Sequence, residues 1–180
     1  MNEFEYYFLQ RKDDQAYPLI RITEREGGNP PTLIHIEFND PIPRNPVMAD
    51  YLAGSGIFIT EKIVNEIKKI NIEGVNFIAT ELTDNKGNMS DDYFCLHTST
   101  RILAMDKEKS KYEYQFRIYN IEKFYLDKKV LKEIPLEQRL VFVLRESPEK
   151  VLFHKSVVDT IMAVNPTGME FVNIEGYGGF

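Results

Sequence analysis

The sequence predicts an α+β fold in which mostly antiparallel strands outnumber two amphipathic helices. Three observations carry this expectation. Short runs that alternate apolar and polar residues recur along the chain, as strands with one wet face do. Only two segments show the spacing of a helix with one apolar stripe. Each of those helices sits between two strand-like runs, and the two strand–helix–strand units match each other. At 180 residues, with 43% hydrophobic and 28% charged side chains, the chain reads as a single domain, 1–180, that folds around its own core.

Taken in order, Tyr6-Tyr7-Phe8-Leu9 is a short aromatic strand, and Leu19-Ile20-Arg21-Ile22-Thr23 is a second. Gly27-Gly28-Asn29-Pro30-Pro31 is a turn cluster, because Pro cannot donate to a ladder. Leu33 to Phe38 alternates and reads as a strand. Pro41, Pro43 and Pro46 then break regular structure, and Met48 to Ala53 is expected to be a short helix before the turn Gly54-Ser55-Gly56. Ile57-Phe58-Ile59 is a brief strand, and Thr60 stands where a hydroxyl caps the free N–H groups of a helix. Ile63, Val64, Ile67 and Ile70 form that helix's apolar stripe; Asn71 and Gly74 mark its stop. Strands are expected at Val75–Ala79, Tyr93–His97, Arg101–Asp106, Tyr112–Tyr119, Phe124–Leu126 and Leu140–Leu144. Val151-Leu152-Phe153, a helix from about Lys155 to Val164, and a strand at Met169–Ile174 close the chain.

The two helical units align without a gap at residues 57–78 and 151–172. Val64 meets Val158, Ile67 meets Ile161, Asn71 meets Asn165, Gly74 meets Gly168 and Phe77 meets Phe171. Shared Asn, Gly and Phe at fixed offsets read as an internal duplication. Two copies fall short of a solenoid. His154 occupies the place of Thr60, so the second helix is expected to start weakly and His154 to be half exposed.

The formal charge is −6, which argues against a general nucleic-acid binder. Residues 1–50 hold nine acidic and five basic side chains, so the acidity is concentrated there. One cysteine, Cys95, excludes an internal disulfide framework and an all-cysteine metal site. Met1 to Glu5 lacks the basic and apolar regions of a secretory signal, and no run approaches a membrane span of roughly 18 apolar residues. Gly176 to Phe180 matches no lipidation pattern. The expectation is a cytoplasmic protein with a reduced thiol and no membrane partner.

No catalytic motif stands out. Cys95 and His97 lie two apart and share a strand face, the seed of a nucleophilic pair; a buried apolar cysteine is the simpler reading. His35, Glu37 and His97 are a loose metal set without specific spacing. The doublets Asp13-Asp14 and Asp91-Asp92 read as solvated turns. Gly54-x-Gly56 lacks the rest of a phosphate loop. Ten Tyr and 12 Phe without Trp fit core packing and a protein interface. No cofactor is implied.

Four features, in order, resemble immunity protein family eleven of bacterial polymorphic toxin systems. They are Tyr6-Tyr7-Phe8-Leu9; Tyr93-x-x-Leu96 with Ile102-x-Ala104-x-Asp106-x-x-x-Ser110; Leu152-Phe153, a helix and Gly168-Met169-Glu170-Phe171; and the echo Gly74-Val75-Asn76-Phe77. The resemblance implies an α+β antidote without catalysis that binds and occludes a cognate toxin delivered by a type VI or similar system. The toxin would be encoded by the adjacent gene, and the antidote would be a monomer or homodimer. Asp13, Asp14, Glu24 and Glu26 are the candidate contacts to a basic toxin. A small hydrolase using Cys95 and His97, and a sheet-edge scaffold, are the alternatives.

Overall fold

A computed structural model describes residues 3–179; Met1, Asn2 and Phe180, which the targeting expectation used, lie outside the described residues. The elements are β1 (Tyr6–Arg11), β2 (Leu19–Glu26), β3 (Leu33–Asn39), β4 (Tyr51–Gly54), β5 (Gly56–Thr60), α1 (Glu61–Ile67), β6 (Val75–Thr83), β7 (Met89–Thr98), β8 (Arg101–Ile102), β9 (Lys111–Gln115), β10 (Ile118–Lys123), α2 (Lys128–Lys132), β11 (Val141–Leu144), β12 (Val151–His154), α3 (Lys155–Met162) and β13 (Met169–Asn173). The architecture is α+β with mostly antiparallel pairing; β3 with β6 and β8 with β11 are the parallel pairs.

One sheet has the order β2-β3-β6-β7-β5-β4 and the other β13-β1-β12-β11-β8. The first curls on itself. Its edge strands β2 and β4 approach so closely that a Cβ on Gly54 would lie 2.6 Å from the Ile20 carbonyl oxygen. Only glycine leaves room for that backbone approach. The curled sheet encloses its own core, which includes Ile20, Ile36, Leu52, Phe58, Ile78 and Cys95. On its outer side lies a second core, where Ile63, Val64 and Ile67 of α1 meet Val157, Val158 and Ile161 of α3, together with Leu96 of one sheet and Phe153 of the other. A third core covers the far face of the five-stranded sheet, where Phe8, Phe142 and Leu152 meet Ile121 of β10 and Leu131 of α2.

The two matching segments fold alike. β5 and β6 both pair antiparallel with β7, which lies between them. β12 and β13 both pair antiparallel with β1, which likewise lies between them. Each unit is therefore strand–helix–strand with one antiparallel strand inserted from elsewhere in the chain. Gly74 and Gly168 both hold φ near +75° after the helix (+74° and +76°).

Several elements differ from the sequence expectation. Met48–Ala53 is not a helix: Tyr51 and Leu52 are consecutive yet buried in different cores. A strand sends neighbours to opposite faces, which a helix does not. Arg101–Asp106 is strand only at its first two residues. Phe124–Leu126 is irregular, with Leu126 in an isolated bridge to Met105. Helix α2 was not expected; its start is capped by the Asp127 carboxylate, which accepts from the Lys129 and Val130 N–H groups at 2.9 and 3.2 Å. The caps of α1 and α3 reverse the expectation. The Thr60 hydroxyl makes no cap and donates instead to Asp50 Oδ1 at 2.9 Å. His154 Nδ1 accepts from the Ser156 N–H and so caps α3.

Two polar clasps join distant segments. Asp50 Oδ2 accepts from the Thr167 N–H at 2.8 Å, the Thr167 hydroxyl at 3.1 Å and Lys62 Nζ at 3.2 Å. It thereby ties β4, the start of α1 and the loop before β13. The Arg139 guanidinium is only 1% exposed. It donates to the Tyr6 hydroxyl at 2.7 Å, the Ile134 carbonyl at 2.9 Å, and the Glu3 carbonyl and carboxylate at 3.0 and 2.7 Å. It fixes the N-terminal segment to the five-stranded sheet.

Burial alone would raise the Asp50 carboxyl, but the bonds from Thr167, Thr60 and Lys62 outweigh it and hold it below its ordinary 3.8. Its contribution is thus present above that value and lost as pH falls through the lowered folded value. Asp50→Ala is expected to cost about 2–3 kcal/mol in urea unfolding at neutral pH, since several donors lose their acceptor. The acid limb of the stability curve should flatten in the same variant; an unchanged midpoint would show the clasp to be idle.

Candidate functional site

The acids singled out by sequence do not form one site. Asp13 and Asp14 lie exposed in the loop between β1 and β2, where Asp14 Oδ1 accepts from the Ala16 N–H at 2.8 Å. Glu24 and Glu26 lie exposed at the far end of β2. Leu19 to Glu26 spans roughly 23 Å of extended chain, so the two pairs are separated by the length of a strand. Glu26 is engaged: its Oε1 lies 2.7 Å from His35 Nε2, and His35 Nδ1 lies 3.2 Å from Glu81 Oε2. The bond to Glu26, helped by Glu81 and Glu24, raises the His35 pKa.

Cys95 and His154 are packed into the cores. Cys95 lies in the core of the curled sheet, and burial pushes its thiol up to about 11, so thiolate is scarce at neutral pH. Its thiol donates to the Leu96 carbonyl at 3.9 Å and also meets the Ile57 backbone. His154, expected to be half exposed, is 1% exposed. Its ring meets Tyr6 edge-on, with centroids 5.3 Å apart. Burial and the nearby Arg139 charge lower its pKa. Among the described residues no group of three or more His, Cys, Asp or Glu side chains is placed to hold a metal ion, and no helix is long and apolar enough to cross a membrane.

Two surface features remain that the sequence reading missed. The first is a cleft of about 470 Å³ on the curled sheet, lined by Asp50, Asp84, Asp92 and Tyr93 and edged by the exposed Met48 and Met89. Most of its acids are already bonded; Asp84, for instance, accepts from Asn88 and Lys86.

The second is the β9–β10 hairpin, which forms a separate two-stranded sheet. Tyr112–Tyr119 reads in sequence as one strand, but the chain reverses at Phe116-Arg117. Both residues hold positive φ, +50° and +66°. A two-residue turn of that kind favours Asn-Gly, and Phe-Arg carries no such signal. Apolar residues fall at 112, 114, 116 and 118 in unbroken alternation through the turn, and only Tyr119 and Ile121 beyond it change phase, so the pattern does not mark the reversal. Tyr112 pairs with Ile121 at the buried root, and Tyr114 pairs with Tyr119 nearer the tip. Tyr119 touches both tyrosines, with centroid distances of 5.6 and 4.5 Å. An aromatic ladder thus runs outward from the core to Phe116, which is 94% exposed.

A family model described as the immunity protein family (Imm11) matches residues 5–176, nearly the whole chain. The chain belongs to the Imm11 immunity protein family. No curated protein matches it. The Imm11 match covers both helical units, the hairpin between them and the N-terminal strand β1 that both the Arg139 clasp and the second unit require.

The histidines should titrate on opposite sides of the ordinary value of 6.5, His35 above and His154 below, when followed by NMR. The His35 contribution is present below 6.5 and fades as pH rises through its raised value. His154 works in reverse: the fold holds it neutral, and stability is lost as pH falls below 6.5. Titration in the opposite order would contradict the packing described. Native Cys95 should also resist a thiol reagent near neutral pH and react on unfolding.

Proposed function

We propose that this chain neutralises a cognate bacterial toxin by binding it and occluding its working surface. The supporting observation is membership of an immunity family along nearly the full length. The burial of Cys95 supports a role without catalysis, because the hydrolase alternative needs an accessible thiolate. The toxin is taken to be a polymorphic, type VI or similarly secreted protein encoded by the adjacent gene, met in the cytoplasm. Neither nucleic acid nor membrane is invoked. Tight inhibition would bury roughly 1,200–2,000 Å² in total, with a few anchors dominating.

Asp13, Asp14, Glu24 and Glu26 are proposed to steer a basic toxin rather than to meet it as one patch. Their separation and the Glu26–His35 contact favour a long-range role. We also read the two helical units as copies of one ancestor within one domain; their shared inserted-strand topology supports that reading.

The test is coexpression of the chain with the toxin module of the adjacent gene. Growth should be rescued and a stoichiometric complex should copurify. Neutralising Asp13, Asp14, Glu24 and Glu26 together should slow association about 3–10-fold at low salt with little change in dissociation. Persistent toxicity without copurification would defeat the proposal.

A further inference from the structure

The geometry points to the β9–β10 hairpin as the element that enters the toxin, with Phe116 and Arg117 as its anchors. This inference rests on the toxin-binding reading above and adds the surface and the chemistry of what it meets. The occupant is a protein pocket with apolar walls and at least one carboxylate at its rim.

Four observations converge on the hairpin tip. The first is exposure. Phe116 is 94%, Ile118 62% and Tyr114 56% exposed, three large apolar side chains within five residues. The other exposed large apolar residues form a second group, Val47 and Met48 with Met89 at the Asp50 cleft, a pair, Leu103 and Val130, in a cavity lined by residues 105–109 and 127–130, and the single Met162. Clustered apolar exposure of this kind marks an interaction site.

The second is backbone strain. Phe116 and Arg117 both occupy the left-handed region, where residues with a Cβ are disfavoured and Asn-Gly would be comfortable. A turn that rejects its preferred residues, at a place where nothing in the chain is packed by the replacement, points outward for its reason.

The third is mounting. Ile121 is buried in the third core, and the Tyr112–Tyr119–Tyr114 ladder continues from it toward the tip. An isolated two-stranded ribbon is marginal in water. This one is rooted in the core, so its tip is presented with little further ordering on binding.

The fourth is charge. The hairpin, residues 111–123, carries three basic and two acidic side chains, a net of +1 in a chain of −6. Lys111 is paired with Glu122 along the strands, whereas Arg117 stands exposed at the tip. Exposed Arg beside exposed aromatics is the composition of interface anchors, and a carboxylate is the partner its planar fork suits. Aromatic and basic residues together also suit single-stranded RNA. The tip is narrow and convex and has one free-standing arginine, which fits insertion into a pocket better than a groove tracking a phosphate backbone.

The test uses the full-length chain, the toxin module of the adjacent gene and two variants. Phe116→Asn/Arg117→Gly installs the residues the turn prefers, so its melting temperature should hold or rise while its affinity for the toxin falls at least about 30-fold. Arg117→Glu should weaken binding by a similar factor and reduce its salt dependence. A structural role for the tip predicts the contrary pattern, a lower melting temperature with unchanged affinity, and that result would overturn the inference. Wild-type binding with both variants binding equally well overturns the hairpin but leaves the toxin reading standing. A wild-type chain that does not bind overturns both. Tip-dependent binding of a 20-nucleotide single-stranded RNA, or a wild-type dimer that the double variant converts to monomer, would assign the tip to RNA or to a second copy and would likewise overturn it.

Discussion

The five- and six-stranded sheets each bury one face against the same pair of helices, and the rest of the molecule is arranged around that seam. Ile63, Val64 and Ile67 on α1 and Val157, Val158 and Ile161 on α3 are all buried there. Burying each such side chain contributes about 1.5–3 kcal/mol, so the seam outweighs any single polar contact in the fold. It also explains why the two units need a strand from elsewhere. β7 and β1 each complete a sheet whose flanking strands are held apart by the helix that connects them.

The polar clasps act on a smaller scale and decide register. Asp50 locks the junction of β4, α1 and the loop before β13. Arg139 holds the N-terminal segment so that Tyr6 packs against Phe142 and His154. Each is a buried or half-buried charge whose loss leaves several groups without partners, which is costly even where its net contribution is modest. The hairpin lies outside this framework. It sets Ile121 into a core, with Tyr112 and Tyr119 packed against it, and keeps its outer half in solvent. A packed body carrying a rooted but projecting ribbon suits the proposed binding by insertion.

Local patterns were legible in the sequence where local physics decides. β1, β2, β3, α1 and α3 follow from alternation and from apolar stripes, and the family follows from the order of its motifs. What stayed hidden is non-local. Nothing in Tyr6–Arg11 says that it inserts between β12 and β13, and nothing around Arg139 announces a buried guanidinium. Thr60 gives up its expected capping role because Asp50, itself held by the distant Thr167, claims its hydroxyl. Phe116-Arg117 concealed a hairpin because the turn lacks Gly and Asn. The acids of the first fifty residues were visible as charge, but their separation by a whole strand was not.

The account holds that a stable frame presents one projecting ribbon to a toxin pocket. Hydrogen exchange of the free chain and of its toxin complex tests that claim directly. Backbone amides of Tyr112–Ile121 should gain protection in the complex while those of α1 and α3 stay as slow as before. New protection confined to the Glu24–Glu26 end of β2 or to the Asp50 cleft, with the hairpin unchanged, would contradict it.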